Sequence, residues 1–173
     1  MKQCGRFLLA GLAAALVLSC GGKPEVVETR YPDGRLRVRR AVRLDEDGRQ
    51  VNHGPYIAWH PNGQQETKCE YRAGKRYGRF TYWHANGVKA REGAYRDGKE
   101  EGLWVRRHEN GAKKSETFFR NGREEGTYTA WHPDGTKAEE GEFREGMREG
   151  LWTTYDASGS KTSERFFRGG VSE

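Results

Sequence analysis

Along residues 30–173, short runs of alternating apolar and polar residues are separated by turns that carry glycine. From Pro55 the pattern returns every 24 residues. The turn glycine recurs at Gly63, Gly87, Gly111, Gly135 and Gly159. One aromatic recurs at Tyr56, Phe80, Trp104, Tyr128 and Trp152, and another at Tyr71, Tyr95, Phe119, Phe143 and Phe167. Alternation with a period of two predicts strands with one buried face, and self-similarity at a fixed period predicts a repeat array. Within each unit, His-Pro-Asn-Gly (60–63) or its equivalents at 84–87, 108–111 and 132–135 predict a type I turn closed by a left-handed glycine and a bulge. A looser Gly-x-x-x-Gly connection, such as 98–102, then leads to the next unit. The expected fold is all-β: an elongated antiparallel meander of tandem 24-residue β-hairpins. One hairpin is marginal in water, so each unit needs its neighbours. Stacked columns would bring Trp104 to Phe80 and Trp152 to Tyr128. Eleven or twelve strands at ~4.8 Å would give a ribbon of roughly 50–55 Å before twisting.

The strict register covers 55–173 as five repeats, preceded by a degenerate, lengthened first repeat over 30–54. Residues 20–29, with Pro24, are expected to be a polar tether. Residues 1–19 are expected to be a signal peptide: Lys2 and Arg6 precede a short apolar segment, Phe7–Leu18. That segment is too short to span a bilayer core, which needs ~20 residues in a helix. Val17-Leu18-Ser19-Cys20, followed by Gly21-Gly22, resembles a bacterial lipobox. The resemblance implies lipidation of Cys20, hence a membrane partner through that anchor, and Gly21 implies sorting to the outer membrane. The alternative is an ordinary secretory signal that carries a cysteine. With Cys4 in the signal and Cys20 lipidated, Cys69 has no partner for a disulfide and is expected to be a packing residue.

Composition sharpens this picture. Of the 173 residues 34% are hydrophobic and 32% charged, with mean hydropathy −1.04. Those values lean toward disorder, but 12% aromatics opposes it. A repeating sheet with rings as its packing elements reconciles the two. The net charge of +6 includes the signal-segment Lys2 and Arg6, and the remaining excess is too mild for a nucleic-acid reading.

Gly-x-Trp/Tyr, Asn86-Gly87-Val88-Lys89, Glu92 and Tyr95-Arg96-Asp97-Gly98-Lys99 resemble the MORN repeat, specifically its bacterial, antitoxin-component-like variant. The resemblance covers 55–173 well and 30–54 loosely. It implies a scaffold or membrane-associated binding platform. The sequence departs from it at Arg107, where other units have Trp59, Trp83, Trp131 or Tyr155. It departs again at Ala157-Ser158-Gly159, which lacks the preceding His.

The candidate chemistry lies in columns. His60, His84, His108 and His132 sit about two strand spacings apart, ~10 Å, too far to share one ion, so each is expected to serve its own turn and no metal is expected. Glu92, Glu116, Glu140 and Glu164 are expected to pair with Lys or Arg rather than to catalyse, and no nucleophile motif or cofactor loop is present. Arginine follows the second aromatic every time, at Arg72, Arg96, Arg120, Arg144 and Arg168. One reading is a structural ladder, stacked on Tyr95 or Trp83 or paired with Glu101, Glu125 and Glu149. The other is a cationic-aromatic face, shared with Trp83, Trp104 and Trp131, for an extended anionic or sugar-bearing ligand. Recurrence in every unit favours the ladder. Arg35, Arg37, Arg39, Arg40 and Arg43 either contact an anionic surface near the anchor or blunt an edge strand. The expected function is an exported, lipid-anchored binding or scaffold module of the bacterial cell envelope, not an enzyme, with a protein or envelope-component partner. An antitoxin or immunity-like protein neutralising a toxin is the alternative.

Overall fold

The computed structural model describes residues 23–173. They form thirteen strands: β1 (Glu25–Arg30), β2 (Leu36–Leu44), β3 (Gln50–Trp59), β4 (Gln65–Arg72), β5 (Lys75–Trp83), β6 (Lys89–Arg96), β7 (Lys99–Arg107), β8 (Lys113–Arg120), β9 (Arg123–Trp131), β10 (Lys137–Arg144), β11 (Met147–Tyr155), β12 (Lys161–Arg168) and β13 (Val171–Ser172). The strands lie in sequence order in one sheet, each antiparallel to the next. No helix occurs among the described residues. The all-β meander of tandem hairpins is therefore the observed fold, with thirteen strands where eleven or twelve were expected and short strands at both ends. One of them, β1, corrects the tether: Glu25–Arg30 is a strand, in which Val26 and Val27 pair with Ala41 and Arg40. The signal segment and Cys20 lie outside the described residues.

Two kinds of turn alternate. At one edge, the amide of His60 bonds Gln64 O (2.8 Å) and that of Gly63 bonds His60 O (2.9 Å), and the pattern repeats at 84, 108 and 132. Glycine is required because Gly63, Gly87, Gly111 and Gly135 hold φ between 84° and 90°. The opposite edge is tighter than expected. Ala73-Gly74, Asp97-Gly98, Asn121-Gly122 and Glu145-Gly146 each have positive φ at both residues, which makes two-residue type I′ turns. The second glycine of each Gly-x-x-x-Gly lies within a strand, beside a register shift.

One face of the sheet is packed. Phe80 and Trp104 lie 5.7 Å apart by ring centroids, with Tyr95 and Phe119 edge-on to Trp104. Tyr128 stacks on Trp152 at 5.5 Å, with Phe143 and Phe167 edge-on. Both expected contacts are present. Between the rings of each pair runs a glycine without a side chain to lift them. A Cβ on Gly93 would stand 2.2 Å from the Trp104 ring, and one on Gly141 would stand 2.3 Å from Trp152. Thr117 holds the intervening position, pairing with both Trp104 and Tyr128. The rings therefore form separate groups of 24-residue pairs rather than one continuous pile.

Candidate binding surfaces

The packed face is sealed by arginine. The Arg91 guanidinium lies 4.3 Å from the Trp104 ring centre and is paired with Glu100, while Arg148 lies 3.9 Å from Trp152 and 2.9 Å from Glu139. Trp104 is left 1% exposed and Trp152 2%. A guanidinium fixed by a carboxylate loses less freedom when it lies over the ring, so each ion pair supports the cation–π contact beneath it. Burial pushes Tyr95 and Tyr128 above the ordinary phenol range, and holds Glu124 above the usual carboxylate range against the opposing charge of Arg106. Cys69 is buried among Phe80, Tyr95 and Trp104, and burial raises its thiol to about 11. It is a packing residue, as expected.

Strand alternation puts the Arg column on the opposite face. Arg72 covers the Tyr77 ring at 3.9 Å, Arg96 pairs with Glu101, Arg144 lies 3.7 Å from Glu149 and Arg168 lies 3.4 Å from Glu173. The partner is always five residues on, across the type I′ turn. Two of the three expected glutamates are thus partners, whereas the rings of Tyr95 and Trp83 are not: Tyr95 instead carries Arg76, at 5.2 Å. The glutamates also reach the next unit. Glu101 accepts the Asn121 amide at 2.9 Å, Glu125 accepts that of Glu145 at 3.0 Å, and Glu149 accepts that of Gly169 at 2.8 Å. Each bond holds a residue with positive φ. The candidate face itself needs one correction. Trp83 and Trp131 share the arginine face and are partly exposed, but Trp104 points to the other face, where it forms the core.

The acidic column on this face is paired throughout. Glu92, Glu116, Glu140 and Glu164 receive Lys89, Lys113, Lys137 and Lys161, three residues earlier, at 2.5–2.9 Å. Hydrogen bonds from these lysines hold Glu92 and Glu140 below the usual carboxylate range, and Tyr155 Oη adds a second donor to Glu140. Where Arg107 departs from the aromatic column, it gives Glu92 another cation at 3.6 Å, while Lys113 instead lies 4.8 Å from the Trp131 ring.

The histidines do not serve their own turns alone. Nε2 of His60, His84, His108 and His132 donates to the carbonyls of Trp83, Arg107, Trp131 and Tyr155, at 2.8–3.1 Å, each in the following unit. Tyr31 does the same for the first repeat, donating to Trp59 O at 2.7 Å. Asn62, Asn86 and Asn110 add a second link, from Nδ2 to the carbonyls of Ala85, Glu109 and Pro133. Among the described residues no group of three His, Cys, Asp or Glu is arranged to hold a metal ion.

The arginine run of β2 is split by the sheet. Arg35 bonds Asp33, Arg37 lies 5.9 Å from the Tyr31 ring and Arg39 lies 3.6 Å from Glu28, whereas Arg40 bonds Asn52 from the other face. Arg43 is half-buried next to Val42, which is fully buried. The edge-strand reading is corrected too, because β1 lies outside β2. Comparison with models of known protein families finds no match, and comparison with curated proteins finds no matching relative.

Proposed function

We propose that the chain is an exported binding module of the MORN type, held at a bacterial cell envelope by a lipid on Cys20. Its sheet is the contact surface, and the partner is a protein or an anionic envelope component. The observation that carries this reading is the Arg column. Its recurrence and pairing fit a ladder, yet it lies on the face away from the core and the side chains of Arg96, Arg144 and Arg168 stay 60–74% exposed. Exposed single ion pairs contribute only ~0–1 kcal/mol each, so these arginines are held ready without being consumed by folding. A planar guanidinium at each repeat suits carboxylates or phosphates spaced along an extended partner.

The test uses immobilised full chain and detergent extracts of bacterial envelopes. The native chain should retain an envelope component that the triple variant Arg96→Gln, Arg144→Gln, Arg168→Gln releases, with its melting temperature unchanged. Equal retention by both chains, or by neither, contradicts the proposal.

A further inference from the structure

The turns at 72–75, 96–99, 120–123, 144–147 and 168–171 share one edge of the sheet and hold eight cations against two carboxylates, Asp97 and Glu145. The first and last residues of each turn pair in register, so their side chains share the arginine face. Arg72 faces Lys75, Arg96 faces Lys99, Arg144 faces Met147 and Arg168 faces Val171. At 120–123 the pair is Arg120 and Arg123, the one turn of the five that sets two guanidinium groups against each other. Like charges directly opposite repel. Among the described residues Arg120 and Lys99 form no ion pair, whereas Arg96, Arg144 and Arg168 each form one and Arg72 covers a ring. The Lys99 stem runs beside the same turn: a Cβ on Gly122 would stand 3.5 Å from Lys99 Cβ. Lys99, Arg120, Asn121, Arg123, Glu125 and Glu145 line an open groove of about 540 Å³. Glu125 is held by the Glu145 amide at 3.0 Å. The ion pair within the groove, Arg123 with Glu145, is long at 3.8 Å, and its side chains are 68% and 70% exposed.

The geometry points to a site for a phosphomonoester, on a soluble molecule or a lipid headgroup, held between Arg120 and Arg123 with Lys99 alongside. The assignment rests on the reading of the Arg column as a contact surface, and names the group received at one turn. A carboxylate has two oxygens and one charge, which a single guanidinium fork satisfies. A phosphomonoester brings three acceptor oxygens and nearly two charges, so each arginine can engage it at once. Placed between the two, it turns their repulsion into two attractions. Lys99 adds a third cation as a point charge on a flexible stem. Glu125 opposes the ligand. It stands five residues after Arg120, as Glu101 and Glu149 stand after Arg96 and Arg144, and it competes for the same guanidinium. Its engagement with the Glu145 amide leaves Arg120 available in the structure.

Isothermal titration of the full chain in non-ionic detergent tests the site, with two arms that separate the sources. One arm adds glycerol phosphate in solution; the other adds micelles doped with phosphatidic acid, against undoped micelles. Binding in the first arm assigns a soluble phosphomonoester, and binding in the second alone assigns a headgroup; either supports the site. In the arm that binds, Arg120→Gln and Arg123→Gln should each weaken binding about tenfold, the loss of one charged hydrogen-bonding group. Glu125→Gln should tighten it, because the amide oxygen still accepts the Glu145 N–H while the competing charge is gone. Lys75→Gln removes the same charge from another turn and should leave binding unchanged. Absence of binding in both arms overturns the site. So does equal weakening by Lys75→Gln and Arg120→Gln, which would mean a general attraction to charge, and so does weakening by Glu125→Gln. A chain that retains an envelope component yet binds no phosphomonoester overturns this site alone; loss of both overturns the reading on which it rests.

Discussion

Gly93 and Gly141 show how one missing atom shapes the core. Each lies between two rings, with backbone φ outside the left-handed region, so what it requires is space rather than conformation. Gly111 is the reverse case: φ is +88°, and the nearest atom to a Cβ would be Val88 Cγ1 at an ordinary 3.8 Å. Gly93→Ala should therefore cost about 3 kcal/mol through overpacking. Gly111→Ala should cost about 1–2 kcal/mol through backbone strain. Urea melts of the two variants check the order, and a smaller loss for Gly93→Ala would contradict the packing account. In the same column, Cys69 is shielded and its thiol is pushed up to about 11. Because its folded value lies above the ordinary 9.0, its contribution to stability is whole below pH 9 and declines from there toward pH 11. Peptide mapping after alkylation at pH 8 should find Cys69 unmodified in the folded chain and modified once urea unfolds it. Reaction at equal rates in both states would place the thiol at the surface.

At the scale of the hairpin, the turn sequences were legible because each residue type answers one local demand. Gly63 and its equivalents take positive φ, and Asn or Asp accepts the amide two residues on, as Asn86 does from Val88 at 3.0 Å. The links between units were not legible, since they depend on which strand lies alongside. A histidine 23 residues from its acceptor carries no local signal of that bond. The type I′ turns were obscured by Ala73 and Glu145, residues that rarely adopt φ > 0, although Asp97-Gly98 and Asn121-Gly122 carried the usual signature. Strand β1 was hidden by its brevity and by charge at Glu25, Glu28 and Arg30. The link from Asn62, Asn86 and Asn110 ends where Asp134 offers no N–H; Thr136 Oγ1 reaches Ala157 O instead, at a long 3.5 Å. Asp134→Asn should restore a donor and raise stability by about 0.5–1 kcal/mol. A thermal melt at or below that of the native chain would show that this edge adds nothing to the cohesion of the array.

At the scale of the molecule, the 24-residue period was plain in the sequence, but the larger grouping was not. Phe80 with Trp104 and Tyr128 with Trp152 are joined across glycine, and Thr117 separates the groups. In an array whose units contact only their neighbours, such a seam lets one block open while the other stays closed. Trp152→Ala should cost about 3–5 kcal/mol locally. Hydrogen exchange should then quicken over β9–β12 and remain slow over β4–β7; uniform acceleration would mean one cooperative unit. The candidate surface was legible as a column of arginines, yet its face was not: excluding Trp104 from it required knowing that Arg91 and Gly93 enclose that ring. The functional proposal adds to this sheet an anchor at Cys20, which would fix where its faces are displayed. Intact-mass measurement of the chain extracted from bacterial membranes tests that claim most directly. The account predicts a chain that begins at Cys20 and carries the added mass of a diacylglycerol group on that residue. An unmodified chain, or one that begins at any other residue, would contradict it.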